Sequence, residues 1–125
     1  MSEEPEGELT LRTLAMPADT NVSGDIFGGW VLSQMDIAAG IIAGEKAQGR
    51  VATIAVDAMK FIRPVKVGDV LCVYCRIVRV GRTSMAIEVE AWVKRGRIGG
   101  REKVTEAVYT FVAIDAEGKS RPVPG

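Results

Sequence analysis

Gly28-Gly29-Trp30-Val31-Leu32-Ser33-Gln34-Met35-Asp36-Ile37-Ala38-Ala39-Gly40-Ile41-Ile42-Ala43-Gly44-Glu45-Lys46-Ala47 decides the fold. The run predicts a helix from about Gly28 to about Ala47, with Gln48-Gly49 as its C-terminal stop. It is apolar nearly all round, so other structure should wrap it. The polar loop Asp19-Thr20-Asn21-Val22-Ser23-Gly24-Asp25 leads in, and Asp25 or a nearby backbone group is the expected cap. Ser33, Gln34 and Asp36 make the run too polar to span a bilayer. A carboxylate such as Asp36 is costly to bury among these neighbours unless something uses it.

Working outward, the flanking segments read as strands. Leu9 to Ala15 is a short strand that Met16-Pro17 ends. Downstream come Val51 to Ile62, the turn Arg63 to Asp69, Val70 to Val80, a turn at Gly81-Arg82, and Thr83 to Lys94. Within the last of these, Met85, Ile87, Val89, Ala91 and Val93 face one way, and Ser84, Glu88, Glu90 and Lys94 the other. Arg95 to Arg101 is a hairpin loop, Lys103 to Ile114 the last strand, and Asp115-Ala116-Glu117-Gly118 opens a polar tail. One helix followed by four hairpin-connected strands, joined by the N-terminal strand, predicts an α+β fold. In it a five-stranded antiparallel sheet curls around one long central helix. Residues 1–125 form one domain, with 1–8 and 116–125 as flexible tails. An edge strand and an all-apolar helix on so small a domain point to dimerisation.

Composition narrows the function. Sixteen basic residues balance sixteen acidic ones, so nothing advertises nucleic acid or an anionic membrane. The acidic start Met1-Ser2-Glu3-Glu4-Pro5-Glu6 lacks an apolar core, which gives a cytoplasmic reading. There is no histidine, which excludes Ser-His-Asp and Cys-His catalysis. Two cysteines are too few soft ligands for a zinc site, so no metal is expected. Cys72-Val73-Tyr74-Cys75 spells C-x-x-C, but in a strand, where residues three apart point to opposite faces; two buried structural thiols are expected.

The chemistry must then run on carboxylates, amides, hydroxyls and backbone. Bare N–H groups at a glycine-paired helix start can hold an oxyanion, and an acid further along can supply a base or nucleophile. The bland alternatives are a carboxylate that caps a neighbour or pairs with a lysine at an interface, and glycines that merely permit a tight turn. Gly28 and Asp36 are eight residues apart, about 12 Å along one helix. A single reacting carbon cannot touch both, so two antiparallel helices meeting at a two-fold axis would have to share the site.

Leu11-Arg12-Thr13-Leu14-Ala15-Met16-Pro17-Ala18-Asp19-Thr20-Asn21, Gly24-Asp25-Ile26-Phe27-Gly28-Gly29-Trp30 and Ser33-Gln34-Met35-Asp36 closely resemble the YciA-type acyl-CoA thioesterases of the hotdog superfamily. The likeness continues through Arg63-Pro64-Val65-Lys66-Val67-Gly68-Asp69 and Val80-Gly81-Arg82-Thr83-Ser84 into the C-terminal strand, most of the chain. The resemblance implies a hotdog fold and hydrolysis of acyl-CoA to a carboxylic acid and coenzyme A. It implies Asp36 as the catalytic acid, either activating water or attacking the carbonyl, and the former is preferred. Gly28 and Gly29 would form the oxyanion hole, and Asn21 would orient water or the carbonyl, although any Asn in such a loop is by default a turn residue. Arg82, with Thr83 and Ser84, is the first choice to grip coenzyme A, and Arg63, Lys94 and Arg95 are weaker choices. No cofactor is needed. Partners are the acyl-CoA and a second copy of the chain, with a trimer of dimers possible.

A rival of another class is a non-catalytic acyl-CoA-binding regulatory module on the same fold, which fold alone cannot separate. Asp36 favours the enzyme. A hotdog dehydratase or hydratase would resemble its relatives in using an acid–histidine pair, which this chain lacks.

Overall fold

The computed structural model describes residues 4–95 and 99–125; part of the expected Arg95–Arg101 hairpin loop, residues 96–98, lies outside them. The chain order is β1 (Glu8–Leu14), a short 3-10 turn (Pro17–Asp19), α1 (Gly28–Ala47), β2 (Val51–Phe61), β3 (Val70–Val80), β4 (Ser84–Lys94) and β5 (Arg101–Ala113). The strands form one antiparallel sheet in the order β1-β3-β4-β5-β2, with α1 packed on one face. No helix among the described residues is long and apolar enough to cross a membrane.

The alternation of β4 is realised: Met85, Ile87, Val89, Ala91 and Val93 are fully buried in the core under the helix. Val31, Met35, Ala38, Ala39, Ala43 and Ala47 are the buried helix residues, a stripe at helical spacing. Its small side chains let α1 lie close to the sheet. Here the expectation of a helix enclosed on all sides needs correction. Ile37 and Ile41, on the opposite face, are 51% and 48% exposed, because one sheet covers only one side of a helix.

The helix stops at Gln48, which adopts the left-handed conformation (φ 54°) and donates to the Glu45 and Gly44 carbonyls, while the Gly49 N–H also reaches Gly44. The left-handed residue is thus the glutamine before the glycine. At the other end, Asp25 is not the cap. Phe27 holds the N-cap position without a side-chain hydrogen bond to the helix, and the Asp25 backbone is engaged by Asn21.

Consecutive hairpins were expected after the helix, and the β2–β3 connection breaks that pattern. β2 pairs with β5 at one edge, whereas β3 lies between β1 and β4. Residues 62–69 therefore cross the end of the sheet. The Ile62 and Arg63 N–H groups bind the Val104 carbonyl, and the Val65 carbonyl accepts from Ile26, just ahead of the helix. Pro64 suits this extended passage because it offers no donor for a ladder. The crossing fixes where the helix starts.

Edge strand β2 carries two register shifts against β5, one between Thr53 and Ala55 and one between Asp57 and Lys60. Ala58 lies in the second with φ 52°. Such bulges bend a strand and re-aim its side chains. Beyond it, Phe61 comes to rest against the helix start: a Cβ on Gly28 would lie 3.2 Å from the Phe61 ring.

The tail is not free as expected. Ile114 forms a bridge with Ser120, Arg121 donates to the Ala113 carbonyl, and Val123 donates to the Arg82 carbonyl. Backbone donors and the half-buried Val123 anchor it, despite its polar composition. Before β1, the Glu6 N–H donates to Glu90, so that end is also held.

Candidate active site

Asp36 projects from the middle of α1 toward the start of β2. Its Oδ1 accepts a 2.6 Å hydrogen bond from the Thr53 hydroxyl. Asp36 is half-buried in the single chain, so the full burial expected from its neighbours needs correction: Met35 faces the core and Ile37 faces out, and Asp36 sits between them at the edge of the packed stripe. Gly29, Leu32, Ser33, Asp36, Thr53, Val56 and Tyr109 line one open cavity of about 260 Å³. Gly29, Ser33 and Asp36 share it because i, i+4 and i+7 fall on one helix face.

Tyr109 forms the inner wall. Its hydroxyl donates to the Leu32 carbonyl at 2.8 Å, tying the helix turn that precedes Asp36 to the central sheet. Burial, then the Asp36 carboxylate and Cys75, push the phenol above its ordinary range. It therefore stays a neutral donor. Sequence reasoning missed both Thr53 and Tyr109. A threonine in a β-branched strand and a tyrosine in a strand core carry no local signal, and only the strand pairing brings them to Asp36.

Gly28 and Gly29 open the helix without a side-chain cap, and at this position their N–H groups precede the first intrahelical acceptor, whereas the Trp30 N–H already donates to the Phe27 carbonyl. Neither has positive φ. What restricts them is space: a Cβ on Gly28 would press on Phe61, and one on Gly29 would come within 3.1 Å of Phe27. The two face different depressions. Gly29 shares the Asp36 cavity, whereas Gly28 lines a neighbouring cleft of about 250 Å³ with Phe61, Arg63, Pro64 and Thr105.

Asn21 lies exposed in the loop before the helix. Its Oδ1 accepts from the Ser23 and Asp25 N–H groups, the hydrogen bonding of a turn asparagine. Arg82, Thr83 and Ser84 form the β3–β4 turn, with the Arg82 side chain exposed. Arg63 is at the other end of the sheet, its guanidinium on the Lys103 carbonyl. Ser84 pairs with Val112 and Phe61 with Thr105, so the two arginine sites are about seven β5 residues, roughly 23 Å, apart along one chain. Arg95 is absorbed structurally, bridging Asp69 and Glu102.

The two cysteines are free, buried and on opposite faces. Cys75 packs in the main core, and Cys72 packs with Tyr74 and Trp92 on the outer face. Desolvation pushes the Cys75 thiol up to about 11, as an unreactive core thiol requires. The acidic group of Glu6, Glu88 and Glu90 also lies on that outer face, where Arg76 and the Trp92 indole bind its carboxylates.

Residues 23–99 match the Thioesterase superfamily. The chain is 58% identical to the acyl-CoA thioester hydrolase YciA of Salmonella typhimurium over 99% of its own length and 96% of that protein. Among solved structures, a hexameric thioesterase from Yersinia pestis superposes with a TM-score of 0.93 at 57% identity, covering 98% of this chain and 99% of that one. A hexameric broad-specificity acyl-coenzyme A thioesterase does so with a TM-score of 0.93 at 55% identity, covering 98% and 85%. With one helix on a five-stranded antiparallel sheet and more than half its residues shared along nearly its whole length, this chain belongs to the hotdog-fold thioesterase superfamily, among its YciA-type members.

Proposed function

We propose that the chain hydrolyses acyl-CoA thioesters to a carboxylic acid and coenzyme A, with Asp36 as general base. The observation that carries this reading is the open cavity in which the Thr53 hydroxyl orients the Asp36 carboxylate. Asp36 takes a proton from water as the water oxygen attacks the thioester carbonyl. Backbone N–H groups of a helix start hold the resulting oxyanion, assisted by the helix dipole. The tetrahedral species collapses by breaking the C–S bond, and the proton on Asp36 passes to the leaving thiolate. Water is consumed and the carboxylate returns to its starting state. No metal or organic cofactor enters.

Gly28 and Asp36 remain about 12 Å apart along one helix, so the donors facing a given Asp36 come from a second copy. The half-exposed Ile37, Ile41 and Ile54, on α1 and edge strand β2, offer the apolar surface for that copy. The solved relatives are hexamers, so this dimer is the building block of a larger assembly, three dimers together. Arg82, with Thr83 and Ser84, grips the phosphates of coenzyme A, and Asn21 orients the carbonyl or water. Arg63, at the mouth of the Gly28 cleft, is the secondary basic contact. Two free buried thiols suit a reducing cytoplasm.

No feature of the fold or the cavity favours the binding-module alternative. Incubating the chain with an acyl-CoA and a thiol reagent tests the proposal: free thiol accumulates with turnover for the hydrolase. Stoichiometric binding without thiol release would replace it by the binding module.

A further inference from the structure

The residues after β5 form a strap over the end of the sheet that carries Arg82. Asp115 reverses the chain, its side chain accepting from the Glu117 and Lys119 N–H groups. The returning segment then runs Arg121-Pro122-Val123-Pro124. Proline has no N–H, so Val123 carries the one amide donor between residues 122 and 124. That donor lands on the Arg82 carbonyl at 2.8 Å, and the Val123 side chain packs against the main core. The next carbonyl, Thr83, accepts from the Ala113 N–H at 2.9 Å, and Gly81 closes the turn on the Ser84 carbonyl at 2.7 Å. The β3–β4 turn is thus held on successive carbonyls, while the Arg82 side chain projects to solvent.

We propose that Val123 is a positioning residue for coenzyme A recognition. Its N–H fixes the Arg82 backbone, so that the guanidinium meets a phosphate without first ordering the turn. Ordering a loop at the moment of binding weakens affinity, and a preformed turn avoids that loss. The inference rests on the reading of Arg82 as the phosphate contact. The flanking prolines add to it by stiffening the segment that delivers the donor.

The test uses Val123→Pro, which removes the donor, assayed with an acyl-CoA and with the matching acyl-pantetheine, which lacks the nucleotide phosphates. The expected result is a KM for acyl-CoA raised about three- to tenfold, the effect of one net hydrogen bond. The kcat and the pantetheine KM should stay level, and Val123→Pro should add little on top of Arg82→Ala. Val123→Ala keeps the N–H and reports the loss of packing alone; its effect must be the smaller. Equal losses on both substrates, additivity with Arg82→Ala, or an alanine variant as weak as the proline one would each overturn the proposal. A silent Val123→Pro beside a defective Arg82→Ala removes the strap's role alone. A silent Arg82→Ala removes the phosphate contact and the strap's role with it. Thermal melts of each variant exclude unfolding as the cause.

Discussion

The Thr53 hydroxyl donates a 2.6 Å hydrogen bond to Asp36, joining the third turn of α1 to the third residue of β2 in a pairing that spans seventeen positions. A carboxylate held this way keeps one oxygen oriented and leaves the other for water. A hydrogen bond to a charged group is worth about 1.5–3 kcal/mol, so Thr53→Ala should lower kcat roughly ten- to 150-fold. Thr53→Ser retains the hydroxyl and should recover most of the rate. Steady-state kinetics on both variants, with KM little changed, would bear this out; equal defects in both would assign Thr53 to packing.

Asp36→Ala should lose about two to four orders of magnitude in turnover while staying folded and binding coenzyme A, the loss typical of a missing general base. Near-normal turnover by a folded variant would remove Asp36 from the mechanism.

The sharing of sites between copies can be read by refolding Asn21→Ala and Asp36→Ala chains together. Each variant alone carries a lesion in every site. If Asn21 and the helix start serve the partner's Asp36, a mixed pair holds one doubly damaged site and one intact site. Random pairing then restores about a quarter of the wild-type rate. A verified mixed assembly with no recovery would show that each site is built within one chain.

How much of this was open to inspection in the residues depends on how local the cause is. The helix bounds and the β4 alternation are written in adjacent side chains, and both fell where the pattern put them. The β2–β3 crossing was hidden, because Val51–Phe61 looks the same whether its partner is β3 or β5. Asp36 stood out as a charge among apolar neighbours, whereas Thr53 is ordinary for a strand until pairing brings it to the helix. The strap was concealed by its own composition. Proline and charge read as a loose end, but a few backbone donors aimed at carbonyls are enough to dock it.

Alkaline pH should weaken the fold. Burial raises the Cys75 thiol from 9.0 to about 11, so in this window the unfolded chain has released a proton that the folded chain keeps. That contribution is complete below pH 9 and disappears as pH climbs toward 11, amounting to at most roughly 3 kcal/mol. Tyr109, also raised by burial, acts in the same direction above the ordinary tyrosine range. Urea midpoints measured across the window should fall for the wild type and fall less for Cys75→Ala. Parallel curves would mean that the Cys75 thiol is not the source.

Ala58 adopts a conformation that suits glycine, in an exposed bulge. Ala58→Gly should relieve about 1–2 kcal/mol of left-handed strain, offset by roughly 0.5–1 kcal/mol of added freedom in the unfolded chain. A small net stabilisation is expected in the urea midpoint. A loss would indicate that the Ala58 methyl makes contacts in the assembled form.

The strand order has a bearing on how the chain is made. β2 leaves the ribosome directly after the helix, but its strand partner among the described residues, β5, begins some forty residues after β2 ends and is the last strand in the order. Until then β2 has no strand to pair with, although β1, β3 and β4 can already lie against the helix, and contacts distant in sequence are slow to form. The exposed interval is one in which newly made chains can associate wrongly. A sheet that is closed by its final strand is therefore expected to favour slow synthesis and chaperone assistance, which yields at different translation rates would test.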